Sequence, residues 1–174
     1  GLIWPSARIL ANAMQCLDIK GQRILEIGCG LALASLVIHR RLGDITASDC
    51  HPLAETFLQE NTRINALPQL KYKTGQWDRS NPDLGKFDLI IASDVLYERN
   101  QPGMLANFIQ LHAHTNTNII VVDPDRGNRN AFCRQMANNN FVVEMHRANR
   151  KQSTGEAYKG HFLHFTHASR HTIH

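Results

Sequence analysis

One stretch, from Arg23 to Ser35, constrains this chain more than any other. It opens with a short apolar run, Ile24, Leu25 and Ile27, interrupted only by Glu26, and such a run reads as a buried strand. Gly28-Cys29-Gly30 follows, and then apolar residues at helical spacing through Leu33, Leu36 and Val37. Strand, glycine turn and helix form the opening of a nucleotide-binding βαβ unit. The chain reverses tightly there, and a ligand touches bare backbone that a Cβ would shield.

Two details narrow the ligand. Glu26 stands two residues before the first glycine, where a carboxylate would repel the pyrophosphate that a dinucleotide places at the helix N-terminus. It would attract a cation instead, and S-adenosylmethionine (SAM) carries a sulfonium and an ammonium and no phosphate. Asp49 ends the next apolar run, 19 residues after Gly30 (49 − 30). That is close to the ~20-residue offset of an acid that grips a ribose diol. The same residues also fit an ordinary βα turn with a solvated Glu26 and a helix-capping Asp49.

Leu25-Glu26-Ile27-Gly28-Cys29-Gly30 resembles motif I of the class I SAM-dependent methyltransferases. The resemblance implies SAM, and its demethylated product SAH, as cofactor, with Glu26 at the methionine end, Gly28 and Gly30 beneath it and Asp49 on the ribose. Cys29 within the turn, Cys50 after Asp49 and Ser93 farther on are counted with these cofactor-binding residues. One position departs from the family pattern: its usual third glycine is Ala32 here, the next smallest side chain.

The remaining composition excludes several classes. The 174 residues, 43% of them hydrophobic, suit a single domain over 1–174 with a real core. No apolar run approaches the ~20 residues of a membrane span, and no leader pattern is visible at Gly1-Leu2-Ile3. Cys16, Cys29, Cys50 and Cys133 are scattered without a CxxC pair, so a reducing, cytoplasmic setting without disulfides or zinc is expected. The net charge of +4 is dispersed and does not mark a nucleic-acid surface.

Along the chain, a helix is expected over 5–17 and a second from about Leu53 to Asn65, carrying Phe57, Leu58 and Ile64. Trp4, just before the first helix, reads as a core plug or as part of a lid. A short strand at Lys71–Thr74 leads to Trp77-Asp78, a pair that fits either an adenine's face and amine or a buried Trp beside a turn Asp. Phe87–Asp94 is the clearest strand, with the continuous apolar run of a parallel strand covered on both faces. In an open parallel sheet the ligand crevice lies outside such strand ends, which gathers Asp94 and Tyr97 with Gly28, Gly30 and Asp49. Helix-capping and core packing are the alternatives for Asp94 and Tyr97. A helix at 102–112, a strand at 118–123 and a helix at 130–139 follow. The loop Asp123-Pro124-Asp125-Arg126-Gly127 either lines the site's mouth or only turns the chain. Runs at 141–146 and 161–166 have no helix between them and must pair as a hairpin, which reverses the final strand. The expected fold is therefore α/β and Rossmann-like: a seven-stranded, mostly parallel sheet with an antiparallel last strand and helices on both faces. His161, His164, His167, His171 and His174 crowd the last strand and tail (161–174) without a chelating arrangement, so no metal site is expected.

Three segments, Ile3-Trp4-Pro5, Trp77-Asp78 and Asp94-Val95-Leu96-Tyr97, jointly resemble family 16 of the methyltransferases, which includes protein lysine methyltransferases. That resemblance implies Trp4 over the SAM pocket, Trp77 and Asp78 at the adenine, and Asp94 and Tyr97 as the catalytic pair. Asp94 would orient an amine and Tyr97 would wall its channel. A protein lysine side chain is the implied acceptor, with a small-molecule amine and a non-catalytic SAM-binding domain as the alternatives. Base methylation is disfavoured, because Ser93-Asp94-Val95-Leu96-Tyr97 stands where base-amine methyltransferases carry Asn/Asp-Pro-Pro-Tyr/Phe/Trp.

Overall fold

A computed structural model describes residues 3–79, 81–148, 155 and 157–168. The apolar runs become strands β1 (Arg23–Ile27), β2 (Asp44–Asp49), β3 (Lys71–Thr74), β4 (Phe87–Ser93), β5 (Ala113–Asp123), β6 (Phe141–Arg147) and β7 (His161–His167). The helices are α1 (Pro5–Met14), α2 (Leu33–Arg40), α3 (Ala54–Ile64), α4 (Gln101–His112) and α5 (Arg129–Asn138). One sheet takes the order β3-β2-β1-β4-β5-β7-β6. Pairing is parallel from β3 through β5, while β7 runs antiparallel to both β5 and β6. This is the architecture expected from the sequence, reversed strand included.

Side chains alternate between the two faces of each strand, and the core divides accordingly. Ile24, Leu89, Ile91 and Val122 face one cluster with Leu10 and Met14 of α1, Ile38 of α2 and Leu58 of α3. Leu25, Ile27, Ile90, Ile119 and Val121 face the other with Phe108 of α4 and Phe132 and Met136 of α5. Both faces of the central strands are covered, as their continuous apolar runs require.

Element ends differ from expectation for local reasons. Helix α1 stops at Met14, three residues short of 17, where the Arg41 guanidinium donates to the Met14 and Leu17 carbonyls and lets the chain turn away. Strand β5 starts five residues earlier than 118: Thr117 Oγ1 donates to the Phe87 carbonyl and accepts the His114 N–H, which holds a polar stretch extended. The inner stripe of α3 is Ala54, Leu58 and Thr62; Phe57 and Ile64 face outward. His171 and His174 lie outside the described residues, as does the rest of the 169–174 tail. Among the described residues no helix is long and apolar enough to cross a membrane.

Candidate active site

The parallel strands β1, β2, β4 and β5 all end at one edge, so Gly28, Asp49, Asp94 and the loop after Asp123 converge there. A cavity of about 400 Å³ opens at that edge, within the usual range for small-molecule sites. Trp4, Gly28, Cys29, Gly30, Ser93, Asp94, Tyr97 and Arg126 line it together with Ile3, Ala7, Leu31, Ala32 and Leu33, the first residue of α2.

The glycine turn interlocks with the loop after β4. Gly28 has φ +61°, and a Cβ added to it would lie 2.8 Å from Val95 Cγ1. Gly30 also has positive φ, +51°, yet a Cβ there would meet nothing within 4 Å. Gly28 is therefore small because the Asp94–Tyr97 loop packs on it, while Gly30 presents open backbone to the cavity. Ala32, at the family's third glycine position, is fully buried and left-handed (φ 57°) at the head of α2.

The carboxylates divide into two kinds. Glu26 is buried and does not line the cavity; its carboxylate accepts hydrogen bonds from the Ser35 N–H (2.9 Å) and the Ser35 hydroxyl. Burial pushes its carboxyl up to about 7, the two Ser35 hydrogen bonds pull it down and the Asp49 charge adds to the rise. Its place is behind the turn, where it ties β1 to the first turn of α2 and puts a titratable charge under the glycines. Asp49 is half-buried and also stands outside the cavity's lining, next to Gly30, and its two oxygens accept the Gly30 N–H (2.8 Å) and the His51 N–H (2.8 Å). A carboxylate offers about four acceptor directions, so Asp49 can steady the turn and still take a diol.

The remaining candidates are placed as follows. Cys29 is buried in the lining, and burial pushes its thiol far up, with Glu26 and Asp49 adding to the rise, which favours the protonated form. Cys50 is exposed and outside the lining. Trp77 packs on the α4–α5 core and approaches Gly28 from that side instead of lining the cavity. Asp78 is exposed and pairs with Arg79 at 3.3 Å. Ser93 and Asp94 close β4; Asp94 holds a left-handed φ of 54° and donates its N–H to the Val122 carbonyl. Trp4 and Tyr97 are 56% and 58% exposed and give the mouth an aromatic rim.

Sequence reasoning assigned no role to Arg126. Its guanidinium makes a two-pronged ion pair with Asp94, Nε to Oδ1 at 2.9 Å and Nη2 to Oδ2 at 3.0 Å. The loop from Asp123 to Gly127 therefore lines the mouth, one of the two readings open for it. Tyr158 was also missed: its hydroxyl lies 2.7 Å from Ser6 Oγ and fastens the segment before β7 to α1 just behind Trp4.

A model of the lysine methyltransferase family matches residues 1–147. Protein N-lysine methyltransferase METTL21A of Danio rerio is 32% identical over 115 residues, 60% of this chain and 51% of that protein. The electron transfer flavoprotein beta subunit lysine methyltransferase of Mus musculus is 26% identical over 131 residues, 72% of this chain and 50% of that protein. The chain thus spans about half the length of these curated relatives. In fold it is similar to the magnesium protoporphyrin IX methyltransferase of Synechocystis PCC 6803, solved with bound SAH. The TM-score is 0.73 at 14% identity, covering 92% of this chain and 82% of that one.

Proposed function

The chain belongs to the lysine methyltransferase family, and its fold is that of a SAM-dependent methyltransferase domain; on that premise we propose that it carries a methyl group from SAM to the amine of a protein lysine side chain. The observation that supports this reading best is the shared cavity. Open glycine backbone at Gly30, the Asp94 carboxylate and the aromatic rim of Trp4 and Tyr97 bound one space.

The residues present fit SAM. Gly30 leaves room for close approach to backbone, Asp49 keeps acceptor directions for a ribose diol, and Glu26 sets a negative charge under the turn when ionised. SAM, when bound, supplies an electrophilic methyl carbon on a sulfonium. The chain's part would be to hold a neutral amine in line with it, so that an N–CH3 bond could form as the S–CH3 pair passed to sulfur and left a neutral thioether. The amine's surplus proton leaves to water. A lysine amine is ordinarily protonated, with an unperturbed pKa of ~10.4, so the site must receive an ammonium and align it as it gives up that proton. Asp94 orients the nitrogen, and Trp4 and Tyr97 offer ring faces that tolerate an ammonium before and after methylation. Alignment of this kind is worth up to ~7–11 kcal/mol of barrier. No protein nucleophile is required, consistent with a Cys29 thiol kept protonated by burial.

Labelled SAM incubated with the protein and fractionated lysate, with mass spectrometry of the product, tests this. The expected product is an Nε-methylated lysine in a protein. A methyl group found only on a free metabolite, a histidine or a nucleotide would overturn the lysine assignment.

A further inference from the structure

The pairing of Asp94 with Arg126 bears on which acceptors reach the cavity. Asp94 comes from the end of β4 and Arg126 from the loop after β5, and both line the same cavity. The Asp94 side chain is only 13% exposed, while that of Arg126 is 42% exposed. The carboxylate is thus largely covered, and the guanidinium covering it stands at the solvent side.

The backbone under Arg126 is tied down. Asp123 Oδ2 accepts the Arg126 N–H at 3.0 Å. Asp125 takes an ion pair from Arg129 and a hydrogen bond from His161 Nδ1 of β7 at 2.7 Å. Uncovering Asp94 therefore calls for rotation of one exposed side chain, with the loop staying in place.

We propose that Arg126 selects acceptors by charge: its guanidinium is seated on Asp94 where the acceptor's ammonium sits, so a cationic acceptor displaces it and a neutral one does not. This rests on the amine-acceptor reading above. Exchange of one cation for another leaves the mostly covered Asp94 carboxylate paired throughout, and no covalent bond is made or broken. A hydroxyl acceptor would leave that carboxylate without an opposite charge, a state that partly buried charges disfavour strongly. Arg126 is on this account a specificity-determining residue. Its release precedes chemistry, and the Asp94 acceptor directions it vacates then orient the incoming nitrogen.

The test follows the Arg126 Nε–H by NMR in arginine-labelled protein during titration with n-butylammonium chloride. The controls are n-butanol and sodium chloride at equal concentration. The expected result is a shift of the Arg126 Nε–H with butylammonium and with neither control. In Arg126→Ala, butylammonium binding should tighten ~3- to 10-fold, the range set by removing a competing, partly exposed ion pair. In Asp94→Asn it should be lost. An unmoved Arg126 Nε–H in the wild-type protein, or no tightening in a folded Arg126→Ala variant, would overturn the proposal. The two readings fail separately. A product methylated elsewhere than on an amine defeats the lysine assignment by mass spectrometry, whereas the titration defeats only the role of Arg126.

Discussion

The glycine turn after β1 and the loop after β5 reach the same cavity and are held in opposite ways. The turn is held by geometry and burial: Gly28 is pressed on Val95, Ala32 is fully buried and Glu26 is shut behind them, hydrogen-bonded to Ser35. The loop is held by charge: Asp94 with Arg126, and Asp125 with Arg129 and His161, all within reach of solvent. A ligand that must be gripped the same way in every turnover suits the first kind of wall. An acceptor that must enter and leave suits the second, because partly exposed ion pairs exchange partners at small free-energy expense.

The largest effect that would sharpen this contrast is at Gly28. Gly28→Ala places a Cβ in left-handed backbone, 2.8 Å from Val95 Cγ1. Conformational strain and overpacking together should destabilise the protein by about 2–5 kcal/mol. Chemical denaturation measures it; a loss under 1 kcal/mol would mean the turn is not rigidly packed.

Next comes the pH dependence of Glu26. Its carboxyl in the folded protein titrates near 7 in place of 4.5, chiefly through burial. The folded state therefore favours the protonated form. The contribution to stability is fully present below the unfolded value and is lost as pH rises through about 7. At 1.36 kcal/mol per pH unit this amounts to roughly 3 kcal/mol. Glu26→Gln should lose that slope, so the stability of the variant relative to wild type should rise between pH 4.5 and 8. Parallel stability curves for the two proteins would show that Glu26 is not buried neutral.

The smallest effect belongs to the loop. Asp94→Asn removes a charge whose partner is 42% exposed, and its effect on folding stability should stay below about 1 kcal/mol. The same change should cut turnover by at least ~10²-fold through loss of amine orientation. Thermal denaturation alongside a labelled-SAM assay checks both. A variant that is strongly destabilised yet turns over normally would invert the contrast between the two walls.

The two walls also differ in how far they could be read from residues alone. The turn was legible because its signals are local: an apolar run, two glycines and an acid at a fixed offset lie within thirty or so residues. The reversed last strand was legible because a helix was missing where a parallel crossover needs one. Local signals do not say which way a side chain looks. Glu26 read as a direct contact to the cofactor's methionine end, but the alternation of β1 turns it toward α2 and Ser35. Trp77 read as either an adenine platform or a buried ring, and the sequence alone did not decide between them; its ring packs on the α4–α5 core. The helix carrying Phe57, Leu58 and Ile64 was expected without a direction for each side chain, and α3 turns Leu58 inward with Ala54 and Thr62 while Phe57 and Ile64 face outward. Arg126 was illegible for another reason. It meets Asp94 across 32 residues only because β4 and β5 are parallel neighbours, so its partner is fixed by sheet order and by no motif.

The central claim is that this glycine turn is built for a cationic, phosphate-free nucleoside. Titration calorimetry with SAM and, separately, with NAD tests it most directly. The account predicts binding heat with SAM and none with NAD. It also predicts that Asp49→Ala weakens SAM by about 1.5–3 kcal/mol, the worth of a charged hydrogen bond to the diol. Tight NAD binding with no heat from SAM would contradict it.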